Sequence, residues 1–93
     1  MNPHELRQRS RLFANRMVGL CGGLPNNWVL RTLGGQLLRS GTAVAANYRA
    51  AQRARSRPKF IAKLGTVLEE TDECVGWLEF LKKAGIASDE DLL

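Results

Sequence analysis

The sequence predicts an all-α protein, an antiparallel up-down helical bundle of three main helices with a truncated or missing fourth helix. Two observations lead to this fold class. Three successive segments carry apolar residues at helical spacing, and glycine or proline stop signals separate them. The chain has only 93 residues, so we expect a single domain over residues 1–93.

The first helix is predicted over about residues 3–21. Leu6, Phe13 and Met17 fall on one helical face. A proline at the third position suits a first helical turn, and the pair of glycines that begins at Gly22 ends the helix.

The second helix is predicted over about residues 27–55. Its apolar stripe consists of Leu30, Leu33, Leu37, Gly41, Val44, Tyr48 and Ala51. Glycine weakens a helix by roughly 1 kcal/mol relative to alanine, so the helix could break near Gly41. Alternatively, small residues let a neighbouring helix approach closely. The stripe keeps its phase across Gly41, which favours one long helix.

The third helix is predicted over about residues 58–83, after a serine that can cap it and a proline that suits its first turn. Its stripe consists of Phe60, Leu64, Val67, Thr71, Val75, Leu78 and Leu81. Gly85 ends it. Residues 88–93 then begin with a capping serine and acidic residues, which are signals for a helix start, and no fourth helix follows.

Charge is divided unevenly along the chain. Residues 1–63 contain twelve Arg and Lys residues and one acidic residue, whereas residues 64–93 contain two Lys and eight Asp and Glu residues. A strongly basic region indicates an anionic partner. Alternatively, the acidic third helix neutralises the basic second helix within the bundle.

A row of arginines is predicted on the second helix, nearly opposite its apolar stripe. On a helical wheel these arginines share an arc of about 80°. Because a guanidinium group is planar and permanently charged, such a row can follow a phosphate backbone. An ordinary solvated helix face is the alternative. Arg55 points elsewhere and is expected to pair with the third helix. The predicted nucleic-acid-binding residues are Arg31, Arg39, Arg49, Arg53 and Arg57.

Two aromatic residues, Trp77 and Phe80, lie away from the main stripe of the third helix. In a three-helix protein they would be exposed, so they are predicted to contact a second copy of the chain or a partner. Burial against the local chain is the alternative.

The composition argues against an enzyme, a metal site and a cofactor. One histidine and two cysteines cannot form a usual zinc site, and there is no glycine-rich phosphate loop followed by lysine. No apolar run approaches the roughly 20 residues of a membrane span, and no signal peptide is evident. We therefore expect a cytoplasmic protein that does not enter a membrane, with Cys21 and Cys74 as reduced thiols.

A resemblance to a known family is carried by three stretches of the second helix, residues 36–42, 46–49 and 51–56. It continues in register through Phe60, Lys63, Leu64, residues 68–70, Asp72, Glu73 and residues 77–79. These residues resemble the core of the four-helix-bundle proteins encoded by intervening sequences in 23S ribosomal RNA genes. The likeness covers roughly residues 10–92.

The resemblance implies a helical bundle without enzymatic activity. Related proteins are accessory variability factors of diversity-generating retroelements. These form positively charged homopentamers that bind nucleic acid and a reverse transcriptase. The resemblance therefore implies nucleic acid, further copies of the chain in a pentamer, and a reverse transcriptase or other protein as partners.

We expect a non-enzymatic accessory protein that binds nucleic acid, RNA in particular, through its basic helical face and acts as a homo-oligomer. The alternative is a protein-interaction scaffold whose basic face binds an acidic protein partner. A binding assay against RNA over a salt series separates the two, because contacts to phosphates release counterions.

Overall fold

The computed structural model describes residues 1–87, most of which lie in three helices. Helix α1 spans Pro3–Gly22, α2 spans Trp28–Gln52 and α3 spans Arg57–Lys83. No strand occurs between residues 1 and 87, and the predicted all-α class is confirmed. The helix start predicted at residues 88–93 lies outside the described residues.

Each helix begins after a residue whose side chain forms a hydrogen bond with a free backbone N–H group of the first turn. The capping oxygen accepts a hydrogen bond from the N–H group three residues later, over 2.9 to 3.3 Å. The capping residues are Asn2, Asn27 and Ser56. Because α1 and α3 also carry a proline in the first turn, where its missing N–H group costs nothing, the start of each helix is set locally.

Helix α2 runs without a break through its glycines, and Gly41 serves close packing. If residue 41 carried a Cβ atom, that atom would lie 2.8 Å from Cγ of Met17. Gly41 therefore allows α1 to approach the backbone of α2 at this point.

The end of α2 differs from the prediction. The helix ends at Gln52 and not near residue 55, and Arg57 is the first residue of α3. The reason is the cap of α3: Ser56 has an extended backbone, with φ −150° and ψ 157°, so the chain must leave α2 before it. Because the last buried residue of α2 is Ala51, no core contact is lost by ending there.

Helix α2 forms the middle of the molecule. It packs against α1 on one side and α3 on the other, whereas α1 and α3 barely touch each other. The buried core consists of Met17, Leu30, Leu37, Val44, Cys74, Leu78 and Leu81. None of the three helices carries an apolar stretch long enough to cross a bilayer.

Candidate nucleic-acid interface

The predicted arginine row is placed by the structure on two helices. Arg31, Arg39 and Arg49 lie on α2, and Arg53 is its C-terminal cap; all four are exposed. Arg57 is exposed as well but lies in the first turn of α3. It does not continue the face of α2, because the turn at residues 53–56 separates the two helices.

Arg39 is already paired within the molecule. Its guanidinium donates to Glu70 at 3.1 Å and to Glu73 at 2.6 Å, both on α3. The hydrogen bond to Glu70 is the main cause that raises the pKa of Arg39, and the negative charges of the two carboxylates add to it. Within residues 1–87, Arg39 therefore pairs with α3. Arg55, which the sequence analysis expected to pair with α3, makes no ion pair there.

Arg31 is held by a loop and points away from the core. Its guanidinium Nη1 donates to Oδ1 of Asn26 at 2.7 Å. A single neutral amide uses one of the five donors of the guanidinium, so the other donors remain available to a phosphate.

Arg49 and Arg53 differ from Arg39 in that no carboxylate of residues 1–87 pairs with them. Both are exposed, and neither makes an ion pair within residues 1–87. Helix α2 contains no Asp or Glu, so no carboxylate of the same helix competes with an external anion.

Two arginines that the sequence analysis did not include lie on the same side of the molecule. A surface pocket between α1 and α2 is lined by Val18 on α1 and by Leu38 on α2, which shows which sides of the helices adjoin. Arg7 and Arg11 precede Val18 by eleven and seven residues. These spacings return to the same face of a helix.

The same spacing places Arg49 on this side of α2, eleven residues after Leu38. The phenol of Tyr48 donates to the carbonyl oxygen of Pro3 at 3.3 Å, so the start of α1 lies beside the end of α2. Arg7 and Arg49 therefore lie toward the same end of one surface. We call this surface the basic face and define it as Arg7, Arg11, Arg31, Arg49 and Arg53.

Sequence reasoning could place Arg7 and Arg11 away from the apolar stripe of α1. It could not show which flank of that stripe adjoins the arginine side of α2, because that depends on how the two helices pack. A helical wheel drawn for one helix therefore cannot identify Arg7 and Arg11 as part of this surface.

The predicted contact residues Trp77 and Phe80 form an aromatic pair whose ring centroids are 6.1 Å apart. The Phe80 side chain is 61% exposed, as expected for a three-helix protein. Trp77 instead packs partly against the core. Its indole Nε1 is buried and finds no hydrogen-bond partner among residues 1–87.

A second uncovered apolar surface, which the sequence analysis did not identify, lies between α1 and α3. This α1–α3 groove has a volume of about 520 Å³, and Val44 and Tyr48 of α2 form its floor. Its walls are Leu6, Arg9, Ser10 and Phe13 on α1, and Leu64, Val67, Leu68 and Thr71 on α3. Leu64, Val67 and Thr71 belong to the apolar stripe predicted for α3, so this part of the stripe lines the groove, and the exposed Leu68 lies beside it.

The two cysteines are thiols with structural contacts. Cys21 Sγ donates to the carbonyl of Gly34 at 3.3 Å, and the buried Cys74 Sγ donates to Ser40 Oγ at 3.2 Å. Burial is the main cause that raises the pKa of both thiols, which disfavours the reactive thiolate. No cluster of His, Cys, Asp and Glu within residues 1–87 could hold a metal ion.

Comparison with known proteins identifies a family and finds similar solved structures. The sequence model of the family described as "23S rRNA-intervening sequence protein" matches residues 3–93. A protein of unknown function from the S23 ribosomal protein family of Bacteroides thetaiotaomicron, solved at 1.70 Å resolution, is similar with a TM-score of 0.88 and 37% sequence identity. The alignment covers 99% of this chain and 82% of that one. None of the curated proteins matches the sequence.

Proposed function

The chain belongs to the 23S rRNA-intervening sequence protein family, and on that premise we propose that it is a non-enzymatic accessory protein that binds nucleic acid, RNA in particular, through the basic face. The observation that carries the proposal is the unequal pairing of the arginines. Arg39 is paired with the carboxylates of α3, whereas Arg49 and Arg53 make no ion pair within residues 1–87.

This distribution bears on whether α3 neutralises the basic helices internally. Glu70 and Glu73 face α2 and are used by Arg39. The basic face lies on the other flank of α2, beside α1, where the only acidic residue of α1 is Glu5. Positive charge on that flank is therefore left for an external anion.

The geometry suits contacts to phosphates better than contacts to base edges. From Arg31 to Arg53 the face extends about 33 Å along α2 at 1.5 Å per residue. Because two packed helices form a broad surface, they cannot enter a nucleic-acid groove deeply, and phosphate contacts carry little sequence information. We expect three or four phosphate contacts per chain and little sequence preference.

Fluorescence anisotropy with a labelled RNA over a salt series tests the proposal. Release of counterions predicts a slope of log K against log salt of roughly −2 to −4 per chain. Replacing both Arg49 and Arg53 with alanine should weaken binding to every RNA and flatten the slope by roughly 1 to 2. Both side chains are exposed, so the variant should keep its helicity in circular dichroism.

A matched control comes from the same helix. Arg39→Ala removes the same charge as Arg49→Ala, but from a side chain that already pairs with Glu70. It should affect RNA binding less than Arg49→Ala. If the parent shows no salt-dependent binding at low ionic strength, a scaffold that binds an acidic protein becomes the better hypothesis.

The proposal also includes self-association. The α1–α3 groove and the exposed Phe80 of the aromatic pair are apolar surfaces that the described residues leave open. Joining copies of the chain would bury such surface and would multiply the number of phosphate contacts per particle.

A further inference from the structure

Trp28, the first residue of α2, is unusually exposed for a tryptophan. Its side chain is 71% exposed, whereas the other tryptophan, Trp77, packs partly against the core. A tryptophan carries the largest apolar surface of any side chain, so one that stays in water is a candidate for contact with a ligand.

Trp28 lies within the arginine row and not beside it. On the wheel of α2 it falls inside the arc of the arginines, about 60° from Arg31, at the N-terminal end of the row. Arg31 follows Trp28 by three residues, less than one helical turn, and its guanidinium donates to Oδ1 of Asn26 at 2.7 Å. One place on the surface thus combines an aromatic plane with an oriented cation.

Trp28 itself lines a surface pocket with Val29, Leu30, Ala84 and Ile86, and about 10 Å farther along the same side of α2 the surface is open. Gly35 lies seven residues after Trp28 and returns to the same line along the helix. If residue 35 carried a Cβ atom, no atom of another side chain would lie within 4 Å of it. A planar group can therefore approach this part of α2 without displacing a side chain.

We propose that Trp28 stacks on an unpaired base, so that the ligand of the basic face is single-stranded nucleic acid. Aromatic stacking together with arginine contacts to phosphates is the usual chemistry of single-strand binding, and it tolerates any base because every base has a flat face. In a duplex the base faces are hidden by their neighbours, so the ring cannot stack on them and binding falls to the phosphates and the groove edges. The inference rests on the proposed function and names the class of nucleic acid that the basic face selects.

The test uses the full chain at low salt with two RNA probes of equal length, an unstructured single strand and a blunt duplex. Anisotropy measures affinity, and the intrinsic fluorescence of tryptophan reports contact with the ring. The single strand should bind more tightly and should quench the fluorescence, whereas the duplex should bind through phosphates with little quenching.

Variants separate the inference from the proposed function. Trp28→Ala should lower affinity for the single strand roughly five- to hundredfold, the range of one stacking contact, and should leave duplex affinity unchanged. Trp28→Phe should restore much of the loss because it keeps an aromatic plane. Arg49→Ala should weaken binding to both probes.

Three outcomes would overturn the inference. In the first, both probes bind with the same affinity to the parent and to Trp28→Ala; the proposed function then stands and the stacking role is wrong. In the second, Trp28→Ala changes the mass of the particle in sedimentation without changing the preference between probes, which assigns Trp28 to a protein interface. In the third, neither probe binds, and the proposed function fails together with the inference.

Discussion

Arginines of equal formal charge have different surroundings in this protein. Arg39 and Arg49 lie on the same helix, ten residues apart, and both are exposed. Two carboxylates of α3 lie within 3.1 Å of Arg39, so its charge joins α2 to α3. Arg49 has no such partner within residues 1–87. A count of charges on a helical wheel treats the two alike.

The buried thiols give a prediction at the same scale. Burial raises the pKa of Cys74 and of Cys21 above their ordinary value, which is about 8.5. The folded state then holds the thiol protons more tightly than the unfolded state. Stability should be independent of these thiols below about pH 8 and should fall as pH rises above about 8.5, where only the unfolded thiols release protons.

Urea denaturation at several pH values between 7 and 9.5 measures this dependence. A variant with both cysteines replaced by alanine should be less stable at pH 7, because Cys74 is buried in the core. Its stability should also fall less steeply above pH 8.5. An equally steep fall in the variant would assign the pH dependence to other groups.

At the scale of elements, the glycines of α2 are not equivalent. Gly41 lies against Met17, and an added Cβ atom would come within 3.0 Å of two atoms of that side chain. Gly35 faces open space, with no atom within 4 Å of an added Cβ atom. Glycine is intrinsically unfavourable in a helix, so only a site with a close neighbour needs it.

This contrast predicts opposite effects of one substitution. Gly41→Ala should destabilise the fold by about 1 to 3 kcal/mol because it forces α1 away from α2. Gly35→Ala should stabilise it by up to about 1 kcal/mol through helix propensity. The urea midpoints of the two variants, each compared with the parent, measure both effects. Equal shifts of the same sign would mean that the contact with Met17 does not decide the role of Gly41.

The helices also show which features of the fold could be predicted from the sequence. The spacing of Leu30, Leu37 and Val44 was enough to predict a long second helix, because a core-facing stripe has a fixed period. Its end was predicted too late, since the extended backbone at Ser56 is set by the cap of the next helix. The exposed positions of Arg49 and Arg53 followed from the wheel.

Other parts of the candidate site depended on packing between helices. The pairing of Arg39 depends on which residues of α3 lie opposite it, and the position of Arg7 depends on which flank of α1 adjoins α2. The α1–α3 groove exists because α1 and α3 each pack on α2 and scarcely on each other. These relations are tertiary, and no single-helix pattern contains them.

At the scale of the whole molecule, the described residues separate two kinds of surface. The basic face lies on the α1–α2 side, away from the acidic residues of α3. The α1–α3 groove and the Trp77–Phe80 pair flank α3 on its two sides and are mainly apolar. The proposed nucleic acid and the proposed second copy of the chain would therefore not compete for one surface.

The last prediction concerns which apolar surface joins the copies. Leu68 is 72% exposed on the wall of the α1–α3 groove, whereas Trp77 is already packed in part against the core. The groove offers two exposed leucines, Leu6 and Leu68, whereas only Phe80 of the aromatic pair is strongly exposed. Contact between copies should therefore cover more apolar area at the groove, with a gain of roughly 25 cal/mol per Å². We therefore expect light scattering at micromolar concentration to show an oligomer for the parent, and a much smaller particle for Leu68→Glu.

Phe80→Glu is the matched control, since it introduces the same charge at an exposed apolar position on the other side of α3. Neither side chain belongs to the buried core, so both variants should keep the helicity of the parent, and a change of mass then reports the interface. If Phe80→Glu dissociates the oligomer and Leu68→Glu does not, the copies join through the aromatic pair that the sequence predicted. A parent that is monomeric at this concentration would contradict self-association through either surface. Each chain would then bind nucleic acid by itself, and the salt dependence would be the shallow one expected for three or four phosphate contacts.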